Sequence, residues 1–226
     1  MIVPTVSDAC LVIPLYNESA VIGDVIRAAL PTFPHIVCVD DGSADNSAAI
    51  ARRAGATLVP HPINLGQGAA LQTGFTYVLR ETACRWVVTF DADGQHRVED
   101  AAAMVERARS EELDIVFGSR FLQGKAETGL AKRVVLKTAA HVTTWRTGLK
   151  LTDAHNGLRV LSRRALRSIQ LKHNGMAHAS EIVVQLARAN LTWAEHPVHI
   201  RYTDYSRQKG QSLLNSVNIL TDLILD

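Results

Sequence analysis

No stretch of this 226-residue chain approaches the ~18 consecutive apolar residues of a membrane span, so none of it is expected to cross a bilayer. The N-terminal Met-Ile-Val-Pro-Thr-Val-Ser-Asp has no basic region and no apolar core, and is not expected to act as a secretory signal. Cysteine is scarce: Cys10, Cys38 and Cys84 lie in or beside apolar runs with no CxxC spacing. They read as reduced core residues of a cytosolic protein, not as a disulfide or zinc framework. Aromatics make up only 5%, which makes nucleic acid a poor candidate for a partner. Neither G-x-S-x-G nor G-x4-G-K-[ST] occurs, which removes the serine-hydrolase elbow and the P-loop. His196-x-x-His199 is the wrong spacing for a chelating pair in a strand, where residues three apart face opposite sides.

What is present is core-forming material. A hydrophobic fraction of 47% with 20% charged residues can bury a sizeable interior in one domain. Cys10–Leu15, His35–Val39, Ala56–Pro60, Arg85–Phe90 and Asp114–Gly118 are nearly continuous in Val, Ile and Leu, as buried parallel strands are. Between them Ser19–Leu30, Asp45–Ala54, Gly68–Glu81 and Val98–Ser110 carry apolar residues at helical spacing. Ser43 and Asp45 are candidate N-caps and Gly55 a candidate stop. The remainder predicts a strand at Gly157–Leu161, helices at Arg163–Ser168 and Ala179–Asn190, a strand at Trp193–Arg201 and a helix at 212–226. Repeated β–α units predict an α/β fold, a doubly wound and mostly parallel sheet in a single domain, with an amphipathic C-terminal helix.

In such sheets ligands bind beyond the carboxyl ends of the strands. Those ends lead into Pro14-Leu-Tyr-Asn-Glu18, Asp40-Asp-Gly-Ser43, Asn64-Leu-Gly-Gln-Gly68, Asp91-Ala-Asp-Gly-Gln95 and Ser119-Arg120. Asp91 and Asp93, with Gln95 beside them, offer hard oxygen ligands for Mg²⁺ or Mn²⁺ on a phosphate. Alone, an Asp-x-Asp is more often a solvated turn. A buried strand before it and Asp40-Asp41 at another carboxyl end favour the metal. Asp40-Asp-Gly-Ser43 reads either as a simple turn and N-cap or as a strand-end carboxylate, Asp41, that accepts hydrogen bonds from a base or ribose. Gly66-x-Gly68 lacks the third glycine of a dinucleotide fingerprint, having Leu71 there, and is expected to pack a helix start against the sheet.

Charge is unevenly shared. Residues 1–119 carry 8 Lys+Arg against 15 Asp+Glu, a net −7, and residues 120–226 carry 16 against 7, a net +9. This reads either as an ordinary solvated surface or as an acidic half, 1–119, that handles metal and a basic half, from 120 on, that faces anions such as phosphates or lipid headgroups. Arg120, Arg207 and Lys209 lie in loops with Gly and Ser, where they suit phosphates or serve merely as solubilising charge. Lys132, Arg133, Lys137 and Arg146 among Leu and Val read equally as an interfacial helix or an ordinary surface helix.

Together the motifs Val12-Ile-Pro-Leu-Tyr-Asn-Glu18, Val39-Asp-Asp-Gly-Ser43, Asn64-x-Gly-x-Gly-x-Ala70, Asp91-Ala-Asp-Gly-Gln95, Gly118-Ser-Arg120, Asp153-x3-Gly157-x-Arg159 and Glu195-His-Pro-Val198 resemble family 2 inverting glycosyltransferases. The subgroup resembled acts on polyprenyl phosphates, as dolichol-phosphate mannose synthases do, and the likeness spans about residues 10–212. It implies the GT-A, nucleotide-diphospho-sugar transferase fold. It implies nucleotide contacts from Pro14, Tyr16, Asn17, Glu18, Val39, Asp41 and Ala92, and a divalent metal on Asp91, Asp93 and Gln95. Arg120, Arg207 and Lys209 would meet donor or acceptor phosphates, with Asp153 near the reacting groups. Where the resembled enzymes have Arg-x-x-Gly-x-Ser-Lys, this chain has Leu213 in place of the lysine.

The implied reaction moves a sugar from a nucleotide-diphosphate sugar to a polyprenyl phosphate. Two alternatives stand beside it: transfer to a hydroxyl, and a non-catalytic nucleotide-sugar-binding subunit. A polyprenyl acceptor implies a protein peripheral on the cytoplasmic face of the membrane, docked through the basic run and the 212–226 helix, on lipid or on a small membrane-embedded partner subunit.

Overall fold

A computed structural model of the chain describes residues 4–122, 149–153, 156–175 and 177–201. The strands are β1 (Ala9–Leu15), β2 (His35–Asp40), β3 (Thr57–Pro60), β4 (Trp86–Thr89), β5 (Ile115–Ser119), β6 (Arg159–Ser162) and β7 (Trp193–Pro197). The helices are α1 (Ile22–Ala29), α2 (Ser47–Arg53), α3 (Gln67–Glu81), α4 (Val98–Ser110), α5 (Arg163–Arg167) and α6 (His178–Arg188). One seven-stranded sheet runs in the order β3-β2-β1-β4-β6-β5-β7. Every pairing is parallel except those of β6, which runs antiparallel to both β4 and β5.

Alternation along the strands divides the core in two. Leu11, Ile13, Leu15, Cys38 and Val88 point to one face, against α1, α2 and α4. Cys10, Val12, Val37, Val39 and Val87 point to the other, against α3, α5 and α6. Both faces of the central strands are therefore covered, which is why their sequences are continuously apolar. Each fully buried Leu, Ile or Phe contributes about 1.5–3 kcal/mol relative to exposure. Only the edge strands β3 and β7 are half-exposed along their length. Two devices hold α3. Arg163 donates to the carbonyls of Val78, Leu79, Thr82 and Cys84 at 2.7–3.4 Å, satisfying its last turn. Gly74 lies so near Val12 that a Cβ would meet Val12 Cγ1 at 2.4 Å, so the helix lies close on the sheet.

Several boundaries differ from those expected. Helix α1 begins at Ile22, not Ser19: residues 19–21 form the turn that leads into it, with the Val21 and Ile22 amides donating to Glu18 O and the Ser19 amide to Asp45 Oδ2. The residue at the N-cap of α2 is Asn46, not Ser43 or Asp45: Asp45, one position earlier, accepts from the Ser47 amide, and the Ser43 hydroxyl accepts from the Asn17 amide. Gly55, at φ +107°, ends α2. β7 stops at Pro197, so His199 lies beyond the strand, where Asp100 accepts its backbone amide at 2.7 Å. The glycines at 66 and 68 pack a helix start, but not on the sheet: a Cβ on either would strike the backbone oxygens of Asn174 and His173. Their smallness admits the 173–174 segment over the start of α3, where the Gly68 amide donates to Asn174 O.

The sheet also mixes the two expected halves. β6 and β7, from residues after 120, flank β5 on both sides. The basic run near 132–146, Arg207, Lys209 and the 212–226 helix lie outside the described residues.

Candidate active site

The carboxyl ends of β1, β2, β4 and β5 share one edge because those strands run in the same direction. The 16–19 turn is fastened to the 43–47 turn. Asn17, at φ +52°, has its amide on Ser43 Oγ and accepts from the Ala44 amide through Oδ1, while the Glu18 amide donates to Ser47 Oγ at 2.7 Å. A left-handed conformation in a non-glycine residue costs energy that these bonds offset. It leaves Tyr16 46% exposed at the rim and Pro14 partly exposed. Val39 and Ala92 are buried below.

Asp41 is only 3% exposed and serves the fold directly. Its Oδ1 accepts from the Leu65 amide at 2.9 Å and lies 2.8 Å from His61 Nδ1, and its Oδ2 accepts from the Gly66 amide at 2.8 Å. His61 Nε2 continues to Thr73 Oγ1 on α3. Gly42, at φ +72°, sits against the Ile63 backbone with no room for a Cβ. The carboxylate expected to meet a base or ribose is thus the anchor of the 61–66 segment. Beside it Asp40 is also buried, and its Oδ1 has no hydrogen-bond partner.

After β4 the chain turns at once, so Asp91 and Asp93 are not related by strand alternation. Asp91 Oδ2 lies 2.8 Å from His96 Nε2, and its carboxyl is pressed against Gly157. Burial pushes the Asp91 carboxyl up, but His96, His178 and Arg159 outweigh it and hold it below the usual range. Asp93 accepts from the Gln95 amide at 3.0 Å. Burial and then the Asp91 charge push its carboxyl up, with Glu18 adding to the effect. Gln95 contributes backbone bonds, its carbonyl accepting from the Arg201 amide. Hard oxygen donors crowded enough to repel one another suit a hard divalent cation. Among the described residues no group of three His, Cys, Asp or Glu that could hold a metal ion comes together.

On the far side of the sheet centre stands Arg159, a residue with no task expected from the sequence. It opens β6 opposite Thr89 and Phe117, is 3% exposed, and donates from Nη2 to Ala179 O at 3.2 Å. Burial drives its guanidinium down to about 10 against the opposing pull of Asp91 and Asp153. Asp153 in turn receives Arg120 through Nε to Oδ2 at 2.6 Å, Nη2 to Oδ1 at 2.8 Å and the Arg120 amide at 3.1 Å. Arg120 is expected as a phosphate ligand; here its fork holds Asp153. Charges therefore alternate along the edge, Asp91, Arg159, Asp153, Arg120. His178, from the start of α6, also lines the cleft between Asp91 and Gln67, and burial lowers its basicity.

With that geometry established, comparison with known proteins decides the family. Residues 10–170 match the glycosyl transferase family 2 profile. The chain belongs to glycosyl transferase family 2. Relatives of this family 2 enzyme include an uncharacterized protein of Methanocaldococcus jannaschii, 32% identical over 95% of this chain and 90% of that one. The UDP-N-acetylglucosamine–dolichyl-phosphate N-acetylglucosaminyltransferase of Methanococcus voltae is 29% identical, covering 95% of this chain and 94% of its own. The polyprenol monophosphomannose synthase of Mycolicibacterium smegmatis is 29% identical over 92% of this chain and 82% of that one. In fold, the chain is similar to glucosyl-3-phosphoglycerate synthase of Mycobacterium tuberculosis, with a TM-score of 0.70 and 18% identity over 96% of this chain and 77% of that structure. The GT-A architecture expected from the motifs is therefore the architecture of this glycosyltransferase. Among the described residues, no helix is long and apolar enough to cross a membrane.

Proposed function

We propose that this glycosyltransferase moves a sugar, with inversion, from a nucleotide-diphosphate sugar to a polyprenyl phosphate. The relatives named for dolichyl-phosphate and polyprenol acceptors support the acceptor class. The observation that carries it within this chain is the state of Asp153. Its carboxylate is buried and both its oxygens are engaged by three donors from Arg120. A hydroxyl acceptor needs a base to take its proton, whereas a phosphate monoester arrives as an anion. An acceptor-side acid locked in an ion pair fits the second case.

Pro14, Tyr16, Asn17, Glu18, Val39, Asp41 and Ala92 would form the nucleotide subsite, with Asp41 acting through the 61–66 segment that it anchors. Asp91 and Asp93, with Gln95, would hold Mg²⁺ or Mn²⁺, which when bound supplies positive charge to the departing diphosphate. An acceptor phosphate oxygen forms the new bond to the anomeric carbon from the face opposite the leaving group, and the bond from that carbon to the diphosphate oxygen breaks. No proton need move. Arg120, Arg207 and Lys209 would balance phosphate charge, since an arginine with five N–H donors can serve a carboxylate and a phosphate together. Asp153 orients the acceptor side by fixing Arg120. In this reading residues 1–119 serve the nucleotide sugar and metal, 120–211 the acceptor, and 212–226 the attachment. The enzyme works peripherally on the cytoplasmic face, on lipid or a small membrane-embedded subunit, because a polyprenyl chain leaves the bilayer at a cost of about 0.8 kcal/mol per CH₂.

Purified protein given UDP- and GDP-sugars with Mn²⁺ is expected to convert a polyprenyl phosphate to its glycosyl ester. Efficient transfer to soluble hydroxyl acceptors with none to the lipid phosphate would overturn the reading.

A further inference from the structure

The Arg120–Asp153 pair does not hold itself in place. Asp153 sits on an irregular segment, 149–153, with no helix or strand of its own to fix it. Its anchor comes from the sheet edge. Glu195, in β7, stands opposite Phe117 in β5, two positions before the strand delivers Ser119 and then Arg120. Its Oε1 accepts from the Thr152 amide at 2.7 Å, the Thr152 hydroxyl at 3.0 Å and the Asp153 amide at 3.2 Å. Because the Thr152 hydroxyl gives its proton to Glu195, its oxygen is left to accept from the Ser119 hydroxyl, 2.6 Å away. The Ser119 oxygen accepts in turn from the Phe121 amide at 3.2 Å. Donors thus run in one direction, from Phe121 through Ser119 and Thr152 into one carboxylate oxygen. That chain clasps both sides of the salt bridge, the 119–121 turn and the 152–153 turn.

The Glu195 backbone is itself fixed. Arg107 on α4 donates from Nη1 to Glu195 O at 2.6 Å. A half-buried carboxylate so close to Asp153 is otherwise unfavourable: burial pushes Glu195 up, the Thr152 and Asp153 donors draw it back, and the Asp153 charge adds upward. A glutamate kept there against a neighbouring negative charge needs a use, and the three donors supply one.

We propose that Glu195 is a positioning residue, which fixes the 152–153 backbone so that Asp153 meets Arg120 edge-on and both face the acceptor. This deepens the reading of the site as one for an anionic acceptor, and rests on it. Neither the motif pattern nor the family likeness assigns Glu195 a task; the hydrogen bonds do.

The test compares Glu195→Ala, Glu195→Gln and Glu195→Asp in the full-length protein, with polyprenyl phosphate as acceptor. Glutamine keeps an acceptor oxygen at the same reach, whereas aspartate is one methylene short. Glu195→Ala and Glu195→Asp are expected to lose about 10- to 100-fold in kcat/KM for the acceptor, the scale of a catalytic group misplaced by ~1 Å. Their KM for the nucleotide sugar should stay near wild type, because that subsite is built at the ends of β1, β2 and β4, whereas Glu195 lies in β7. Glu195→Gln should recover most of the loss. A merely structural role would depress donor and acceptor parameters together and lower the melting temperature in step. Wild-type turnover in Glu195→Ala overturns the proposal, as does a Glu195→Gln variant as poor as Glu195→Ala. Should wild-type protein use only a hydroxyl acceptor, the functional reading fails separately, and the same three variants on that acceptor still decide the role of Glu195.

Discussion

Arg159 stands opposite Thr89 in the antiparallel pair of β4 and β6, its amide donating to Thr89 Oγ1 at 3.1 Å while that hydroxyl donates to Gly157 O at 2.5 Å. The register brings the start of β6, not its end, to the edge where every parallel strand finishes. It also places a buried cation between Asp91 and Asp153.

Arg159→Met should therefore remove a buried positive charge that acts on both Asp91 and Asp153, a loss on the order of 3–5 kcal/mol. Asp91 would lose one of the charges that hold its carboxyl below the usual range, so its proton would leave at a higher pH and the variant's deficit should grow as pH rises out of the acid range. Thermal unfolding of wild type and variant at pH 3 and pH 7 measures this. A deficit that is equal or smaller at pH 7 would show that Arg159 does not act on the Asp91 charge.

Asp41→Ala should cost stability as well as donor affinity. The Leu65 and Gly66 amides and His61 would lose their acceptor, and each unsatisfied buried donor costs about 1–3 kcal/mol. Chemical denaturation together with separate kcat and KM values tests it. A rise in donor KM with unchanged stability would return Asp41 to direct nucleotide contact and detach it from the loop.

Asp45 offers a pH test away from the cleft. Burial nudges its carboxyl up, but the donors from Ser47 and Ser19 prevail and hold it at about 2. A carboxyl depressed in the folded state contributes fully above its unfolded value near 3.8 and loses that contribution as pH falls toward 2. Asp45→Asn should flatten that part of the acid-unfolding curve, and an unchanged acid limb would remove Asp45 from the account.

Much of the fold is legible in the sequence because parallel strands advertise themselves. Continuous apolar runs mark β1, β2, β4 and β5, and the polar residues after each run mark one edge. The same rule fails at β6. In an antiparallel strand the site residue comes first, so a search confined to the carboxyl end of each strand passes over Arg159, although its motif is in view. Asp41 reads as a ligand contact because strand-end carboxylates often are; its bonds to the Leu65 and Gly66 amides are to backbone groups that no side-chain pattern reveals. His96 and His178 give no signal either, since neither sits at a metal spacing and only folding brings both beside Asp91. Glu195 is visible as a motif letter, but its function lies in three donors from a segment over forty positions away.

Asp93→Asn should separate activity from stability. Burial and the Asp91 charge raise its carboxyl, so its ionised form weakens the fold as pH rises through that value. The amide removes the repulsion, and the variant should melt at or above the wild-type temperature at pH 7. Turnover at saturating Mn²⁺ should nonetheless vanish, with no thermal shift from Mn²⁺ and a nucleoside diphosphate together. Active Asp93→Asn would end the metal assignment.

Gly157→Ala tests the cleft by adding one methyl group. Gly157 has ordinary negative-φ backbone, so alanine fits the chain itself and should even gain about 0.4–1 kcal/mol from a stiffer unfolded state. Its Cβ would nevertheless lie 2.7 Å from Asp91 Oδ2 and 3.1 Å from Oδ1, too close for both to stay. Asp91 must swing off, breaking its contact with His96 and removing one of the two carboxylates proposed to hold the cation. The expected variant is folded and at least tenfold slower, with a weakened Mn²⁺-dependent thermal shift. Gly175→Ala is the control, since a Cβ there meets nothing within 4 Å, and it should behave as wild type. Full activity in Gly157→Ala would mean that the Asp91 carboxylate works from another position than the one pressed against Gly157, and the alternating charges along the edge would then have no part in the transfer.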